Sequence, residues 1–320
     1  MDGIINVYKE KGYTSFDVVA RLRGILKIKK IGHTGTLDPD AEGVLPVCVG
    51  NATKLCDMLT DRSKEYTAVM RLGIVTDTQD MTGEVLQTSK VPKDEERIRQ
   101  TALSFIGEYD QMPPMYSALK VNGQKLCDLA RQGKVVERER RRVTIYDLTI
   151  TEMALPLVSM HIHCSKGTYI RTLCQDIGEK LGCGGCMQSL VRTRVSEFTL
   201  EEAKTLSQIE RFRDEDRLSE LILPVDTVFS NLIPLKVRME AQRLLDNGNP
   251  IRPEQTERMA QSESGIEQTE RMAQSDSRLA NGQQVRMYHS DGHFCGVYVY
   301  RDQDHILKPV KIFSLKNGKG

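Results

Sequence analysis

The stretch GHTGTLDPDAEGVLPVCVG, residues 32–50, joins a polar loop with three glycines directly to an apolar run. Residues 44–49 are uncharged and are typical of a buried strand. Glycines in the preceding loop let a ligand's backbone come close, because they carry no side chain. The sequence therefore places one carboxylate, Asp38, in a loop that leads straight into the core.

The size and composition predict a globular protein of about two domains. The chain has 320 residues, of which 39% are hydrophobic and 28% charged, and this is enough for a sizeable core. No apolar stretch approaches the roughly 20 residues of a membrane helix. The first residues, MDGIINVYKEKG, lack the pattern of a signal or transit peptide. We expect a cytoplasmic protein with no membrane association.

Strand and helix patterns alternate through about residue 230. EYTAVMRLG alternates as a strand does, and residues 14–26 combine a capping-box pattern with helical apolar spacing. KGTYIRTLCQDIGEKLG is predicted to turn from strand into a helix that ends at Gly182, and Thr199 is predicted to open another helix. This alternation indicates a mixed α/β or α+β domain.

The last ninety residues have a different character. Short strands such as QQVRMYH and FCGVYVYR predict a small β-rich domain over 231–320. The peptide EQTERMAQS occurs at 254–262 and again at 267–275. Residues 254–277 hold six acids and two arginines, with almost nothing to bury. We interpret 254–277 as a duplicated acidic loop insertion.

The basic residues cluster, although the formal net charge is only +1. One cluster is RLRGILKIKK at 21–30, and the other is RERRR, which contains Arg138, Arg140, Arg141 and Arg142. Such clusters suit a phosphate backbone, and they equally suit a solvated surface. From composition alone both interpretations stay open.

Asp38 also fits two interpretations. The loop lacks the GK[ST] of a phosphate-binding P-loop, and a single carboxylate is a poor metal cage. What remains is a carboxylate that acts on a bound polymer, or an ordinary turn aspartate. The pair Cys183 and Cys186 is the one CxxC in the chain. Because a structural zinc needs four ligands, the sequence disfavours a zinc site.

Five blocks, in order, resemble the TruB-type tRNA pseudouridine synthases. They are GHTGTLDPDAEGVLPVCVGNATKL, KEYTAVMRLGIVTDTQDMTG, MPPMYSALKVNGQKL with ARQG, CSKGTYIRTLCQDIGEKLG, and LVRTRV. The resemblance spans about residues 3–230, and the tail resembles the family's PUA RNA-binding domain more weakly. It implies an α+β fold with a mixed, mainly antiparallel sheet and flanking helices over 1–230. A small β-barrel-like PUA domain is implied over 231–320.

The resemblance also implies a chemistry without cofactor or metal. A uracil is detached from its ribose, rotated and rejoined through carbon at position 55 of the T loop of tRNA. Asp38 matches the family's nucleophile, and Arg171 matches the arginine that pairs with it. Tyr66 matches the active-site tyrosine, which stacks on uracil and helps in proton removal. Leu190 matches an apolar residue of the pocket.

Further residues are implied to bind the RNA. His33 matches a loop histidine that occupies the space left by extruded bases. Lys9 and Lys54 match two lysines that line the RNA groove and pocket. An RNA-gripping insertion is expected at about 114–142, with Arg140, Arg141 and Arg142 on phosphates.

We expect a stand-alone, monomeric enzyme that acts on tRNA without an obligate protein partner. Two alternatives exist. A guide-RNA-dependent relative that modifies ribosomal RNA is disfavoured, because the chain lacks long lysine-rich tails and has the insertion. A catalytically silent tRNA-folding chaperone is disfavoured, because all three catalytic matches are present.

Overall fold

The structure is a computed structural model that describes residues 1–259 and 279–313. The chain divides into two compact units. The larger comprises residues 5–47 and 55–221, and the smaller comprises residues 1–4, 48–54 and the described residues from Ile222 onwards. Residues 222–230, which the sequence assigned to the first domain, group with the smaller unit.

Eighteen strands occur among the described residues. They are β1 (Gly3–Lys9), β2 (Ile31–His33), β3 (Glu42–Val49), β4 (Lys64–Leu72), β5 (Ile74–Thr76), β6 (Val85–Thr88), β7 (Gly107–Gln111), β8 (Lys120–Val121), β9 (Gln124–Lys125), β10 (Arg141–Ala154), β11 (Leu157–Cys164), β12 (Gly185–Val195), β13 (Phe198–Thr199), β14 (Ile233–Val237), β15 (Thr256–Arg258), β16 (Gln284–Tyr288), β17 (Phe294–Arg301) and β18 (Ile306–Ile312).

Seven α-helices accompany these strands within the same described ranges. They are α1 (Ser15–Leu26), α2 (Cys56–Thr60), α3 (Glu95–Leu103), α4 (Leu126–Arg131), α5 (Ile170–Leu181), α6 (Leu206–Asp214) and α7 (Gln242–Asp246).

A nine-stranded mixed sheet carries the site. Its order is β1-β3-β12-β4-β11-β10-β7, with β13 paired to β12 and β2 to β3. The β12–β3 pair is parallel, whereas β12–β4, β4–β11, β11–β10 and β10–β7 are antiparallel. Alternate side chains of β4 and β11 are buried in one apolar cluster with α3 and α5. The mixed, mainly antiparallel sheet with helices is the fold that the sequence predicted.

Helix α1 begins and ends as its sequence predicts. Thr14 caps it through a capping box with Asp17, which satisfies backbone donors of the first turn. The residues that the helix buries are Ser15, Val18, Val19, Leu22, Ile25 and Leu26. Helix α5 ends at Gly182, whose φ of 77° is accessible to glycine at little cost.

Two local predictions were wrong. Thr199 does not open a helix, because its backbone pairs with Arg194 at the end of β12. The helix starts later, at Leu206, after a capping box between Thr205 and Gln208. The start of KGTYIRTLCQDIGEKLG is a turn and not a strand, and the helix follows it directly.

The smaller unit contains a five-stranded sheet in the order β15-β14-β16-β17-β18. Part of the range predicted as an acidic insertion belongs to this sheet. Residues 256–258 form β15 and pair with β14, and Glu257 lies 2.8 Å from Lys236. The prediction that all of 254–277 is an inserted loop is therefore wrong at its start. Residues 260–277 and the second copy of the repeat lie outside the described residues.

The predicted RNA-gripping insertion contains a short β8–β9 hairpin and helix α4. Its last residues, from Arg141, form the start of β10. In the described part of the chain, no helix is long and apolar enough to cross a membrane.

Candidate active site

A cavity of about 500 Å³ opens in the larger unit between the loop after β2 and the first turn of α5. Asp38, Tyr66, Arg171 and Leu190 all line it. These residues come from the β2–β3 loop, β4, α5 and β12. The fold thus brings the three residues predicted to be catalytic into one cavity, together with the predicted apolar residue.

Asp38 and Arg171 form a two-point ion pair. Nε of Arg171 lies 2.9 Å from Oδ2 of Asp38, and Nη2 lies 3.3 Å from Oδ1. The Arg171 side chain is only 6% exposed, whereas that of Asp38 is 37% exposed. Because a guanidinium fork fixes the plane of a carboxylate, the pair orients Asp38 and leaves it accessible from the cavity.

Three further residues contact the Arg171 guanidinium. Its Nη1 donates to the Thr78 carbonyl at 3.0 Å, and its Nη2 donates to the Tyr116 carbonyl at 2.8 Å. Asp80 contributes a second carboxylate, 3.5 Å from Nη1. The contact with Tyr116 comes from the insertion. The guanidinium therefore connects the Asp38 loop, the segment after β5 and the insertion.

Asp80 is a site residue that the sequence analysis did not single out. It lies within the block KEYTAVMRLGIVTDTQDMTG, so the signal was present, but only the fold reveals its partner. Its Oδ1 accepts from Thr82 N at 3.0 Å and from Thr78 Oγ1 at 2.7 Å. These bonds fix the carboxylate that steadies the far side of Arg171.

The cavity walls change the acidity of Asp38. Burial of the carboxylate raises its pKa above the usual value, and the Asp80 charge adds to the rise. The Arg171 guanidinium opposes both effects, because it favours the ionised form. The ion pair therefore helps to keep Asp38 charged in a poorly hydrated place.

Two side chains, Lys9 and Ser15, hold the loop around Asp38. Lys9 Nζ donates to the carbonyls of Pro39 at 3.1 Å and Ala41 at 2.5 Å. Ser15 Oγ accepts from Leu37 N at 2.9 Å. These contacts reach the backbone on both sides of Asp38 and fix its position.

The RNA contact predicted for Lys9 is wrong. The residue is fully buried, and its ammonium is occupied by backbone carbonyls. Burial lowers its pKa to about 8, against the opposing effect of nearby carboxylates. A side chain without exposed surface cannot contact a phosphate, so Lys9 acts on the loop and not on the ligand.

Tyr66 forms part of the wall beside a buried cation. Burial raises its pKa to about 12, so the phenol is neutral at physiological pH. Tyr66 lies opposite Arg192 in the β4–β12 pair, and the guanidinium interacts with its hydroxyl. Arg192 is fully buried, and its Nε donates to the Val44 carbonyl at 2.7 Å. Arg192 lies within the block LVRTRV, but no local pattern in the sequence predicts its contact with Tyr66.

Leu190 lines the cavity, whereas His33 does not. Leu190, opposite Ala68 in the β12–β4 pair, is buried and presents an apolar edge to the cavity. His33 ends β2 and is partly buried outside the cavity lining, with its Nδ1 accepting from Gly35 N at 3.3 Å. Burial lowers the pKa of His33. It is therefore a neutral ring beside the loop.

Lys54 is not brought to this cavity. It belongs to the smaller unit, where Nζ donates to the Ile312 carbonyl at 2.9 Å. The prediction that Lys54 lines the pocket is therefore wrong, since the residue is absent from its lining.

The arginine cluster is divided at the cavity rim. Arg141 and Arg142 line the cavity, whereas Arg140 donates to the Asp110 carbonyl at 2.9 Å and is not in the lining. Arg142 lies 3.2 Å from Asp110 and 3.8 Å from Glu108. Of the two arginines that line the cavity, only Arg142 has a carboxylate partner among the described residues, so Arg141 is the less neutralised of the two.

The donor set of the site does not resemble a metal centre. Within residues 1–259 and 279–313, no three His, Cys, Asp or Glu side chains are grouped to hold an ion. Cys183 and Cys186 are buried, and the Cys186 sulfur lies 3.5 Å from that of Met81. The cavity is instead lined by Asp38, by arginines and by a tyrosine.

Comparison with known families gives a consistent match. Residues 23–170 match the model of the TruB family pseudouridylate synthase N-terminal domain, and residues 171–230 match that of the tRNA pseudouridylate synthase B C-terminal domain. Asp38 and Tyr66 lie in the first match. Arg171 and Leu190 lie in the second.

Curated relatives match over nearly the whole chain. A protein of Lachnoclostridium phytofermentans named tRNA pseudouridine synthase B is 52% identical, covering 98% of this chain and 100% of that protein. A protein of the same name from Alkaliphilus oremlandii is 43% identical, covering 98% of each.

Solved structures share the fold. A Cbf5-Nop10-Gar1 complex matches with a TM-score of 0.70 and 26% identity, covering 98% of this chain and 86% of that chain. An H/ACA RNP bound to a substrate RNA containing 2′-deoxyuridine matches with a TM-score of 0.70 at 24% identity, with the same coverage. The second likeness bears on the fold alone.

Proposed function

The chain belongs to the TruB family of pseudouridylate synthases, and on that premise we propose that it converts uridine to pseudouridine at position 55 in the T loop of tRNA. The reaction breaks the bond between N1 of uracil and C1′ of ribose. The base turns, and a bond forms between C5 and C1′. C5 loses a proton and N1 gains one, so the reaction is an isomerisation that consumes no other reactant.

The observation that carries this proposal is the pair of Asp38 and Arg171 in the 500 Å³ cavity. Asp38 is the nucleophile, and it has to be ionised to act. The planar guanidinium of Arg171 holds the carboxylate in one orientation. Asp80 positions Arg171 from the opposite side.

Tyr66 and Leu190 hold the uracil ring. A base fits between an aromatic face and an apolar edge, because stacking and burial both favour it. With its pKa raised to about 12, Tyr66 enters the reaction as a neutral phenol. Because a neutral phenol is no base, Tyr66 first gives its hydroxyl proton to N1 of the detached base, and the resulting phenolate, stabilised by the Arg192 cation, then accepts the C5 proton and becomes a phenol again.

The target base has to leave its stack to reach this cavity. His33 fills the space that the extruded bases leave. Arg141 and Arg142 at the rim, with Arg140 beside them, bind phosphates of the T stem-loop. The smaller unit, with its five-stranded sheet, is a PUA-like domain that adds RNA contacts.

The enzyme acts alone, as a monomer in the cytoplasm, where its tRNA substrates lie. Two proteins named tRNA pseudouridine synthase B align over 98% of the chain, which favours this over the guide-dependent alternative. The intact set of Asp38, Tyr66 and Arg171 in one cavity favours catalysis over a purely chaperoning role.

Position specificity is tested with paired transcripts. Purified protein is incubated with an unmodified tRNA transcript and with one whose position-55 uridine is replaced by cytidine, and pseudouridine is mapped by chemical labelling. Label at position 55 of the first transcript, and none in the second, is expected. Label elsewhere in both transcripts would refute the proposed target, and label that needs an added guide RNA would favour the alternative.

A further inference from the structure

Helix α1 carries an exposed face that the site described above does not use. Phe16 is 63% exposed, which is unusual for an aromatic side chain of this size. The Arg23 guanidinium carbon lies 5.8 Å from the centroid of the Phe16 ring. Ala20 and Gly24, four and eight residues after Phe16, are also exposed, and residues at this helical spacing lie on one side. The result is an open aromatic surface bordered by a cation.

The same segment has a strong positive charge. Arg21, Arg23, Lys27 and Lys29 are exposed, and none of them forms an ion pair within the described part of the chain. The one acid of α1, Asp17, is used in the capping box with Thr14. Because nearby carboxylates do not neutralise these cations, their field attracts a polyanion.

This face lies close to the nucleophile. Phe16 adjoins Ser15, whose Oγ is 2.9 Å from the backbone nitrogen of Leu37, and Leu37 adjoins Asp38. With standard bond lengths, this connection keeps the Cα atoms of Phe16 and Asp38 within about 15 Å. A strand that delivers one nucleotide to Asp38 therefore passes within reach of α1.

We propose that the α1 face, defined as Phe16, Arg23, Lys27 and Lys29, binds the substrate RNA strand beside the nucleotide in the cavity. The cations contact phosphates, and Phe16 stacks on an unstacked base. This inference rests on the proposed function for the identity of the RNA. An exposed aromatic among unpaired cations suits a single-stranded RNA loop, which offers bases and phosphates together. An acidic protein surface offers only the charge.

The phosphate contacts are tested by salt dependence. Affinity for an unmodified tRNA transcript is measured at several salt concentrations for the intact protein and for Arg23→Ala/Lys27→Ala/Lys29→Ala. The matched control is Lys90→Ala/Lys93→Ala/Arg99→Ala, which removes three exposed cations that line neither described cavity. The slope of log affinity against log salt should fall by about 0.7–0.9 for each lost contact in the α1 variant. A slope equal to that of the control would overturn the proposal.

The stacking contact is tested with Phe16→Ala and Phe16→Tyr. The alanine variant should bind the transcript roughly five- to a hundredfold more weakly, with the tyrosine variant close to the intact protein. Equal affinity of all three proteins would overturn the role of Phe16. All substituted residues are exposed, and thermal unfolding of each variant verifies that the fold is retained.

The outcomes separate this inference from the proposed function. Pseudouridine formation by the intact protein is measured on the same transcript. Formation of pseudouridine together with an unchanged salt slope in the α1 variant would refute the α1 face alone. Absence of pseudouridine together with a reduced slope would refute the proposed reaction and leave the α1 face supported.

Discussion

Arg171 grips Asp38 with two nitrogens, at 2.9 and 3.3 Å, and reaches Asp80 with a third at 3.5 Å. One buried cation therefore serves two carboxylates, one of them open to the cavity. The same guanidinium also bonds the carbonyls of Thr78 and Tyr116. The nucleophile's position consequently depends on a guanidinium fixed by contacts from several segments.

Replacing Arg171 with lysine should abolish most turnover even though the charge is kept. An ammonium lacks the fork and cannot bond Asp38, Thr78 and Tyr116 together. A small misplacement of a reacting group costs on the order of 100-fold in rate, so single-turnover pseudouridine formation should fall by at least that much. Arg194→Lys, on an exposed side chain, is the control. Full activity of Arg171→Lys would show that charge alone suffices.

Asp80→Asn should slow the reaction and move its pH dependence. The Asp80 charge raises the pKa of Asp38, so its removal lowers that pKa. Activity requires ionised Asp38 and is lost as the pH falls through its pKa. The acid limb of the pH–rate profile should therefore shift to lower pH, while transcript binding stays unchanged. An acid limb that stays in place would contradict electrostatic coupling between the two carboxylates.

Lys9→Met should destabilise the protein without changing the salt dependence of RNA binding. The ammonium of Lys9 satisfies carbonyls of Pro39 and Ala41 and touches no solvent. Each lost hydrogen bond to a charged donor costs about 1.5–3 kcal/mol, and urea unfolding measures the sum. A smaller slope of log affinity against log salt in the variant would contradict this account, because it would indicate that Lys9 contacts an RNA phosphate.

The difference in unfolding free energy between the intact protein and Lys9→Met should also change with pH. The folded-state pKa of Lys9 is lowered to about 8 from 10.5, so the unfolded chain holds this proton more tightly. Between about pH 8 and 10.5 the intact protein therefore gains unfolding free energy with rising pH relative to the variant. A difference that is constant across this range would contradict the lowered pKa.

Arg141 and Arg142 should contribute unequally to RNA binding. Arg141 is unpaired in the described structure, whereas Arg142 is partly neutralised by Asp110 and Glu108. Arg141→Ala should lower the salt slope by about 0.7–0.9. Arg142→Ala should lower it less, because RNA has to displace existing partners. Equal changes in slope for the two variants would contradict this account, because they would show that the ion pairs with Asp110 and Glu108 do not weaken RNA binding by Arg142.

The sequence predicted elements whose signals are local. The capping box of α1, the stop of α5 at Gly182 and the alternation along β4 all depend on residues within a few positions of one another. The helix expected at Thr199 failed because two local signals compete there. Antiparallel pairing of Thr199 with Arg194, five residues earlier at the end of β12, prevailed over the capping pattern.

The sequence predicted only those site residues that match a motif of the family. Asp38, Tyr66, Arg171 and Leu190 meet in one cavity, but neither a motif nor a spacing tells which way a side chain points. Lys9 was therefore wrongly predicted to contact RNA, because its burial arises from the fold and is not visible in the sequence. Asp80 lies 91 residues from Arg171 in sequence, and no local pattern links them.

Pseudouridine formation by Asp38→Asn tests the central claim most directly. The intact protein, Asp38→Asn and Asp40→Asn are each incubated with an unmodified tRNA transcript and no other component. Asp40 is the matched control, in the same loop but outside the 500 Å³ cavity lining. We predict pseudouridine at position 55 with the intact protein and Asp40→Asn, and none with Asp38→Asn, which should still bind the transcript. Pseudouridine made by Asp38→Asn at the rate of the intact protein would contradict the assignment of Asp38 as the nucleophile.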